Sequence, residues 1–429
     1  MATAAPLSTS QRNIYIAVAA MCMVATFPGR THGLGLITES ILRDLDLDRT
    51  VYGYYNLWAT LIGALCCIPI GALLDKYGCK KVLILILSGL GVVVCGMSLV
   101  ENKALFFVSL LLTRGLGQSA LSVASITLIS KYFPKSKLGI SMGIYSVLVS
   151  LFFMGAFGAM GAALEHLQPI AFSFGGLEVL LPAWRIAWGS VGIILLVICI
   201  PIILLCIRSS DDIQTEAKKP SDGIPLSKPE GIPFLESLRT PAFWIFALSI
   251  SFFGLVSSGI GLYNEDILQE RGFNTQMYHF LMVLPLPFGL LSNLIIGYLA
   301  RRVRITYLLA FCLFFTGFAK FLFPLIQTST QVYAYTIILS FAGGGLSVLF
   351  FIAWADLFGK RDVGRIQGAA QMMSVFASAL GPIFFAYSKE WTDSYTPAFY
   401  ISGGLTILFA IAACFIRVPS MNKNTNELR

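Results

Sequence analysis

The sequence predicts an all-α integral membrane protein whose twelve transmembrane helices form two pseudo-symmetric bundles of six. Three observations predict this fold class. Of the 429 residues, 56% are hydrophobic and only 12% are charged, with a mean hydropathy of +0.78, which leaves too little polar surface to cover a soluble protein. The apolar residues fall into twelve long runs, and features of the first half of the chain recur in the second. A lipid bilayer is therefore the expected surrounding.

Each predicted span is an apolar run of about 20 residues, the length that an α-helix needs to cross about 30 Å of hydrocarbon. Because backbone polar groups in lipid must bond within their own segment, such runs form helices. They cover residues 13–37, 51–74, 82–100, 104–130, 138–163, 184–207, 241–264, 277–300, 305–325, 331–357, 363–388 and 397–416.

The connections between spans predict the topology. Most lysines and arginines fall on one side, which the positive-inside rule assigns to the cytoplasm, so both termini are expected there. The one long hydrophilic stretch predicts a flexible linker. We therefore expect an N-terminal bundle at 1–207, a cytoplasmic linker at 208–239, and a C-terminal bundle with a short cytoplasmic tail at 240–429. The expected location is the plasma (inner) membrane, as a multi-pass monomer.

An internal repeat supports the division into two bundles. The motif Phe-x-Lys-x-x-x-Gly-x-x-x-Gly occurs twice, at a constant offset of 225 residues. Its two copies are Phe133, Lys135, Gly139 and Gly143, and Phe358, Lys360, Gly364 and Gly368. Duplicated halves of the same orientation are typical of carriers that bind substrate between two halves.

The connection between spans 2 and 3 carries the most specific motif. It reads Gly71-Ala72-Leu73-Leu74-Asp75-Lys76-Tyr77-Gly78-Cys79-Lys80-Lys81 and resembles the loop signature of the major facilitator superfamily. The resemblance implies that Asp75 latches the cytoplasmic ends of the bundles, with a pure topology signal as the alternative. The gating residues expected from it are Gly71, Asp75, Lys76, Gly78, Lys80 and Lys81. The Phe-x-Lys loops and residues 239–244 also resemble the monocarboxylate and oxalate/formate branch.

Three cations lie within predicted spans, namely Arg30, Arg114 and Lys320. A charge at the bilayer centre costs about 2.5–3.5 kcal/mol on insertion scales, so such residues are candidates for function. The family resemblance places Arg30 and Arg114 on helices that line the central cavity. Since no carboxylate lies at a comparable depth, an anion is the expected partner, and arginine binds carboxylates in a bidentate manner. For Arg114 the alternative is a structural arginine bonded to helix carbonyls. Lys320 is expected to reach the headgroups along its long side chain.

Polar and aromatic side chains within the spans could complete a binding site with the two arginines, although for any one of them helix packing or an interfacial position is the better explanation. These candidates are Asn56, Tyr145, Ser258, Asn264, Asn293 and Gln371. We find no metal-ligand spacing, phosphate loop or nucleophile motif in the sequence, so no cofactor, no metal and no enzymatic activity are expected.

These features predict a secondary active transporter that moves a small organic anion, a mono- or dicarboxylate, by rocker-switch alternating access. A coupled proton and a counter-substrate both stay open as further partners, and no nucleic acid is expected. Two alternatives remain. The first is an efflux carrier for amphipathic drugs or metabolites, which the 33 phenylalanines favour, although lipid-facing positions explain their number equally well. The second is a non-transporting receptor or sensor built on the carrier scaffold.

Overall fold

A computed structural model describes residues 9–174, 177–208, 231–274, 277, 280–281 and 284–417. These residues are almost entirely helical, because long apolar runs satisfy their backbone groups internally. We name the helical segments spans 1 to 12 in chain order.

In the first half, several spans are interrupted by turns or by π-helical stretches, and a short hairpin precedes span 6. Span 1 is Thr9–Val24, and it is followed by the turn Phe27–Gly29 and the helices Thr31–Gly35 and Thr38–Asp44. Span 2 is Arg49–Ala64 with Cys67–Tyr77, span 3 is Cys79–Met97, span 4 is Lys103–Thr113 with the π-helix Arg114–Leu121 and Ser122–Tyr132, and span 5 is Lys135–His166. The strands Ile170–Phe174 and Leu177–Leu181 then pair antiparallel, and span 6 is Ala183–Ile194 with the π-helix Leu195–Cys199 and Ile200–Cys206.

The second half begins with a short helix, Phe234–Ser237. Its spans are span 7, Pro241–Glu270; span 8, Pro285–Leu299; span 9, Ile305–Leu322 with the turn Phe323–Leu325; span 10, Ser329–Phe358; span 11, Val363–Thr392; and span 12, Thr396–Phe415.

The described helices agree with the predicted number of spans. Eleven of them are long and apolar enough to cross a membrane. The twelfth, span 8, is a shorter apolar helix at Pro285–Leu299 in the place predicted for it, and residues 278–279 and 282–283 just before it lie outside the described part. The predicted fold class is thereby confirmed. The linker prediction falls mainly on residues 209–230, which are also outside the described residues.

By its internal contacts the chain forms two units. One comprises Met1–Leu128, Leu148–Leu226 and Gln367–Met372, and the other comprises Ile129–Val147, Ser227–Ile366 and Met373–Arg429. The predicted boundaries at 207 and 239 stay predictions.

In each half, the third span and the last span cross at a pair of glycine residues. In the 3–6 crossing, a Cβ added to Gly91 would lie 3.1 Å from the carbonyl oxygen of Gly192. In the 9–12 crossing, a Cβ added to Gly317 would lie 3.0 Å from the carbonyl oxygen of Gly403. Small residues at such crossings let helix backbones approach closely in lipid. Gly91 and Gly317 are 226 residues apart, so the internal repeat extends to packing.

In each half, an acidic residue at the end of a helix bonds residues at the start of that half's last span, and this contact forms a tie between the two elements. Asp44 Oδ2 accepts hydrogen bonds from Arg185 Nε at 2.7 Å and from Trp184 Nε1 at 3.0 Å. Glu270, which follows Asp44 by 226 residues, accepts from Ser394 Oγ at 2.6 Å and from the backbone N–H of Tyr395 at 3.2 Å. Neither tie could be identified from the sequence, because both depend on residues far apart in the chain.

Candidate functional site

The buried guanidinium of Arg114 is the centre of a polar network on spans 1, 2 and 4. Arg114 is 2% exposed. Its Nη1 donates to the carbonyl oxygen of Gly29 at 3.0 Å, to Thr31 Oγ1 at 3.0 Å and to Gln118 Oε1 at 2.9 Å. Its Nη2 donates to Asn56 Oδ1 at 2.7 Å. All four acceptors are neutral, so the positive charge of Arg114 is not neutralised by any described residue.

The local helix geometry positions this network. Arg114 begins the π-helical stretch Arg114–Leu121, whose wider turn interrupts span 4, and such stretches are frequent at functional sites. Asn56 is held in turn, because its Nδ2 donates to the carbonyl oxygen of Tyr52 at 3.0 Å. The Nε of Arg114 is buried and has no hydrogen-bond partner among the described residues.

Arg30 lies beside this network and is only partly buried. The two oxygens that accept from Arg114 on span 1 belong to Gly29 and Thr31, the residues on either side of Arg30. Arg30 Nε donates to Thr26 Oγ1 at 2.9 Å, and its Nη2 donates to Ser122 Oγ at 3.0 Å. Arg114 therefore bonds both residues that flank Arg30, one through its backbone carbonyl and one through its side chain.

The structure brings three of the eight predicted binding residues together, Arg30, Arg114 and Asn56. Thr31 and Gln118 also belong to the network, and neither is among the binding residues predicted from the sequence. A signal for Gln118 was present, because it is a polar residue four positions after a membrane arginine. Gln371 is half-buried and belongs to the same unit.

The remaining four predicted residues belong to the other unit. Ser258 Oγ is within hydrogen-bond distance of the carbonyl oxygens of Leu255 at 2.9 Å and Ser378 at 2.6 Å, which is a packing role. Tyr145 is fully buried. Asn293 is 7% exposed, and its Oδ1 has no hydrogen-bond partner in the described part of the chain. Asn264 is half-buried.

The predicted gating loop forms the tight turn between spans 2 and 3. Gly78 has a φ of +83°, a left-handed conformation that favours glycine. Lys80 Nζ donates to the carbonyl oxygen of Leu204 at 2.8 Å, near the end of span 6. Gly71 is buried, Asp75 is partly buried, and Lys76 and Lys81 are exposed.

The prediction that Lys320 reaches the headgroups is wrong. Lys320 is 1% exposed. Its Nζ donates to Thr406 Oγ1 on span 12 at 3.1 Å, within the protein interior. The depth of a residue along a span can be estimated from the sequence, but the direction of its side chain depends on the neighbouring helices.

Comparisons with known proteins agree on the type of protein. The Major Facilitator Superfamily family model matches residues 15–265 and 254–429. Monocarboxylate transporter 9 of Gallus gallus is 26% identical over 189 residues, which is 42% of this chain and only 37% of that relative's length. The hexuronate transporter of Bacillus subtilis is 22% identical over 380 residues, covering 82% of both chains.

Solved structures share the fold. The human organic anion transporter MFSD10 (TETRAN) has a TM-score of 0.67 at 15% identity, covering 95% of this chain and all of that chain. The transporter FucP in the outward conformation has a TM-score of 0.68 at 15% identity, covering 94% of this chain and 99% of that chain. At these identities the structures support the fold alone.

Proposed function

Because the chain belongs to the Major Facilitator Superfamily, we propose that it is a secondary carrier that moves a small organic anion, a mono- or dicarboxylate, by alternating access. The resemblance to monocarboxylate transporters seen in the sequence is confirmed by its relatives. Transport of organic anions fits both the monocarboxylate and the hexuronate relatives. The single observation that carries the proposal for the site is the buried positive charge of Arg114 beside Arg30.

The contacts favour different roles for the two arginines. Arg114 uses Nη1 and Nη2 on four neutral oxygens and is almost completely buried, so it supplies a fixed positive charge. Arg30 is more exposed, and Arg114 bonds the two residues that flank it, through the carbonyl oxygen of Gly29 and the side-chain hydroxyl of Thr31. We infer that Arg30 contacts the anion and that Arg114 positions it.

A thermal-shift titration of purified protein tests this proposal, since a ligand stabilises the state that binds it. The probes are L-lactate, D-glucuronate and succinate. For the anion that stabilises the wild type, Arg30→Gln should weaken binding about 10- to 100-fold, or ~1.4–2.8 kcal/mol. Arg30→Lys should also weaken binding, because a point charge lacks the planar fork of the guanidinium.

Two further variants separate binding from folding. Arg114→Gln should lower both the melting temperature and the affinity, because it releases the backbone around Arg30. Arg43→Gln removes an exposed arginine of the same region and should change neither. If folded Arg30→Gln binds the anion as tightly as the wild type, the anion site is not at Arg30. Stabilisation by amphipathic compounds and by none of the three anions would favour the efflux alternative.

We also propose a plasma-membrane location with both termini in the cytoplasm, supported by the distribution of lysine and arginine among the connections. A cysteine introduced at Glu101 should react with an impermeant reagent in sealed cells, whereas one at Ser136 should not. Labelling of the Ser136 variant from outside would contradict this topology.

A further inference from the structure

Span 9 carries a lysine whose amine is enclosed by neutral groups. Lys320 Nζ donates to Thr406 Oγ1 at 3.1 Å and lies 5.7 Å from the ring centroid of Phe252 on span 7. The Thr406 hydroxyl donates its own hydrogen to the carbonyl oxygen of Ser402 at 2.6 Å, so it offers lone pairs to the amine. Among the described residues, no carboxylate lies within ion-pair distance of Nζ.

The titratable groups of the surrounding helices make no contact with this amine. Within the described residues of spans 7, 9, 10 and 12, none of them lies within hydrogen-bond or ion-pair distance of Nζ. These groups are Tyr263, Glu265, Asp266 and Glu270 on span 7, Tyr307 and Cys312 on span 9, Tyr333, Tyr335 and Asp356 on span 10, and Tyr400 and Cys414 on span 12.

The first half of the chain provides an internal comparison for this site. Lys320 and Thr406 each follow, by three residues, a glycine of the 9–12 crossing. In the 3–6 crossing the corresponding residues are Val94 and Leu195, which are 0% and 2% exposed. Two apolar side chains therefore close the equivalent crossing. Packing alone does not require an amine and a hydroxyl, so the polar pair of the second half calls for a functional explanation.

The close packing of the site restricts what it can bind. A Cβ added to Gly317 would lie 2.7 Å from Ile407 Cγ1, so the helices at this crossing are in direct contact. A carboxylate or a hydrated ion needs volume beside the amine, whereas a proton needs none. An ammonium without a counter-charge is unfavourable in an apolar interior, and losing the proton removes that charge. The hydrogen bond to Thr406 persists in both forms, because ammonium and amine each donate an N–H.

We propose that Lys320 is the binding site of a coupled proton, a proposal that rests on the anion-carrier function proposed above. In one half of the transport cycle the amine takes one proton from water on one side of the membrane and becomes an ammonium. In the other half the ammonium releases that proton to water on the opposite side. One proton carried with each monovalent anion makes the movement electroneutral.

Nuclear magnetic resonance of the purified full chain tests this site without a substrate. Isotope-labelled lysine gives a signal for Lys320 that is assigned by its loss from the Lys320→Val, Thr406→Leu double variant. That variant installs the pair that packs the 3–6 crossing, so we expect it to fold. The Lys320 signal should move between its ammonium and amine positions over the pH range in which the protein stays folded. A signal that stays in one form throughout would overturn the proposal.

Transport in proteoliposomes gives the second test, with L-lactate and D-glucuronate as probes. For one proton per anion, the wild type should accumulate its anion about tenfold for each unit of pH difference. Lys320→Arg keeps the positive charge but cannot release a proton, so it should exchange the anion without accumulating it. Lys103→Arg, at an exposed lysine, serves as the control and should accumulate like the wild type. Accumulation by Lys320→Arg at the wild-type level would overturn the proton site. A wild type that exchanges neither probe would instead contradict the proposed function, while the resonance titration still decides the proton site.

Discussion

Replacing Asp44 by asparagine should loosen the tie between the first helical segments and span 6. The carboxylate of Asp44 lies 2.7 Å from Arg185 Nε, and the two side chains are 26% and 6% exposed. It also accepts a hydrogen bond from Trp184 Nε1 at 3.0 Å. Asparagine keeps one side-chain oxygen but removes the charge, so Arg185 is left largely buried without a carboxylate.

The magnitude follows from the two hydrogen bonds whose acceptor loses its negative charge. A hydrogen bond to a charged group contributes about 1.5–3 kcal/mol, and a neutral one about 0.5–1.5 kcal/mol. The difference is about 1–1.5 kcal/mol per bond, and the partial exposure of Asp44 reduces the total for both to about 2 kcal/mol. For units of about 150–250 residues this corresponds to a fall of about 4–8 °C in melting temperature.

A thiol-reactive fluorescent dye measures this melting temperature, because five of the nine cysteines are buried in the folded protein and become accessible to the dye on unfolding. The matched control is Asp46→Asn. Asp46 is fully exposed, its ion pair with Lys103 spans 3.9 Å, and asparagine tolerates its positive φ of 48°. Equal melting temperatures for the two variants would refute the reasoning. So would strictly additive effects of Asp44→Asn and Arg185→Gln, since residues in one ion pair should show coupling.

Two further predictions concern packing and gating. A Cβ at Gly381 would overlap the carbonyl oxygen of Leu255, so Gly381→Ala should lose about 1–3 kcal/mol of stability in the same dye assay; Gly261→Ala meets no atom within 4 Å, and an equal loss there would contradict the packing argument. Asp75→Asn should slow anion exchange in proteoliposomes while leaving anion affinity in the thermal-shift titration close to wild type, and a wild-type exchange rate would reduce the loop to a topology signal.

Much of the fold was determined by local properties of the sequence. Transfer of a segment into lipid depends on the summed hydrophobicity of about 20 neighbouring residues, so the helices could be located without any knowledge of their partners. The repeat of Phe133 and Lys135 at Phe358 and Lys360 identified two related halves. The same reasoning identified Arg30 and Arg114, because a charged residue inside an apolar run can be recognised without knowing which way its side chain points.

The tertiary structure alone decided what each polar side chain contacts. In a soluble helix the polar stripe marks the outer face, but in lipid the outer face is as apolar as the interior. Periodicity therefore could not show that Ser258 bonds neighbouring carbonyls, that Lys320 is buried against Thr406 or that Asp44 meets Arg185. Depth in the membrane is a property of position along the chain, whereas the partner of a buried group depends on how distant helices pack.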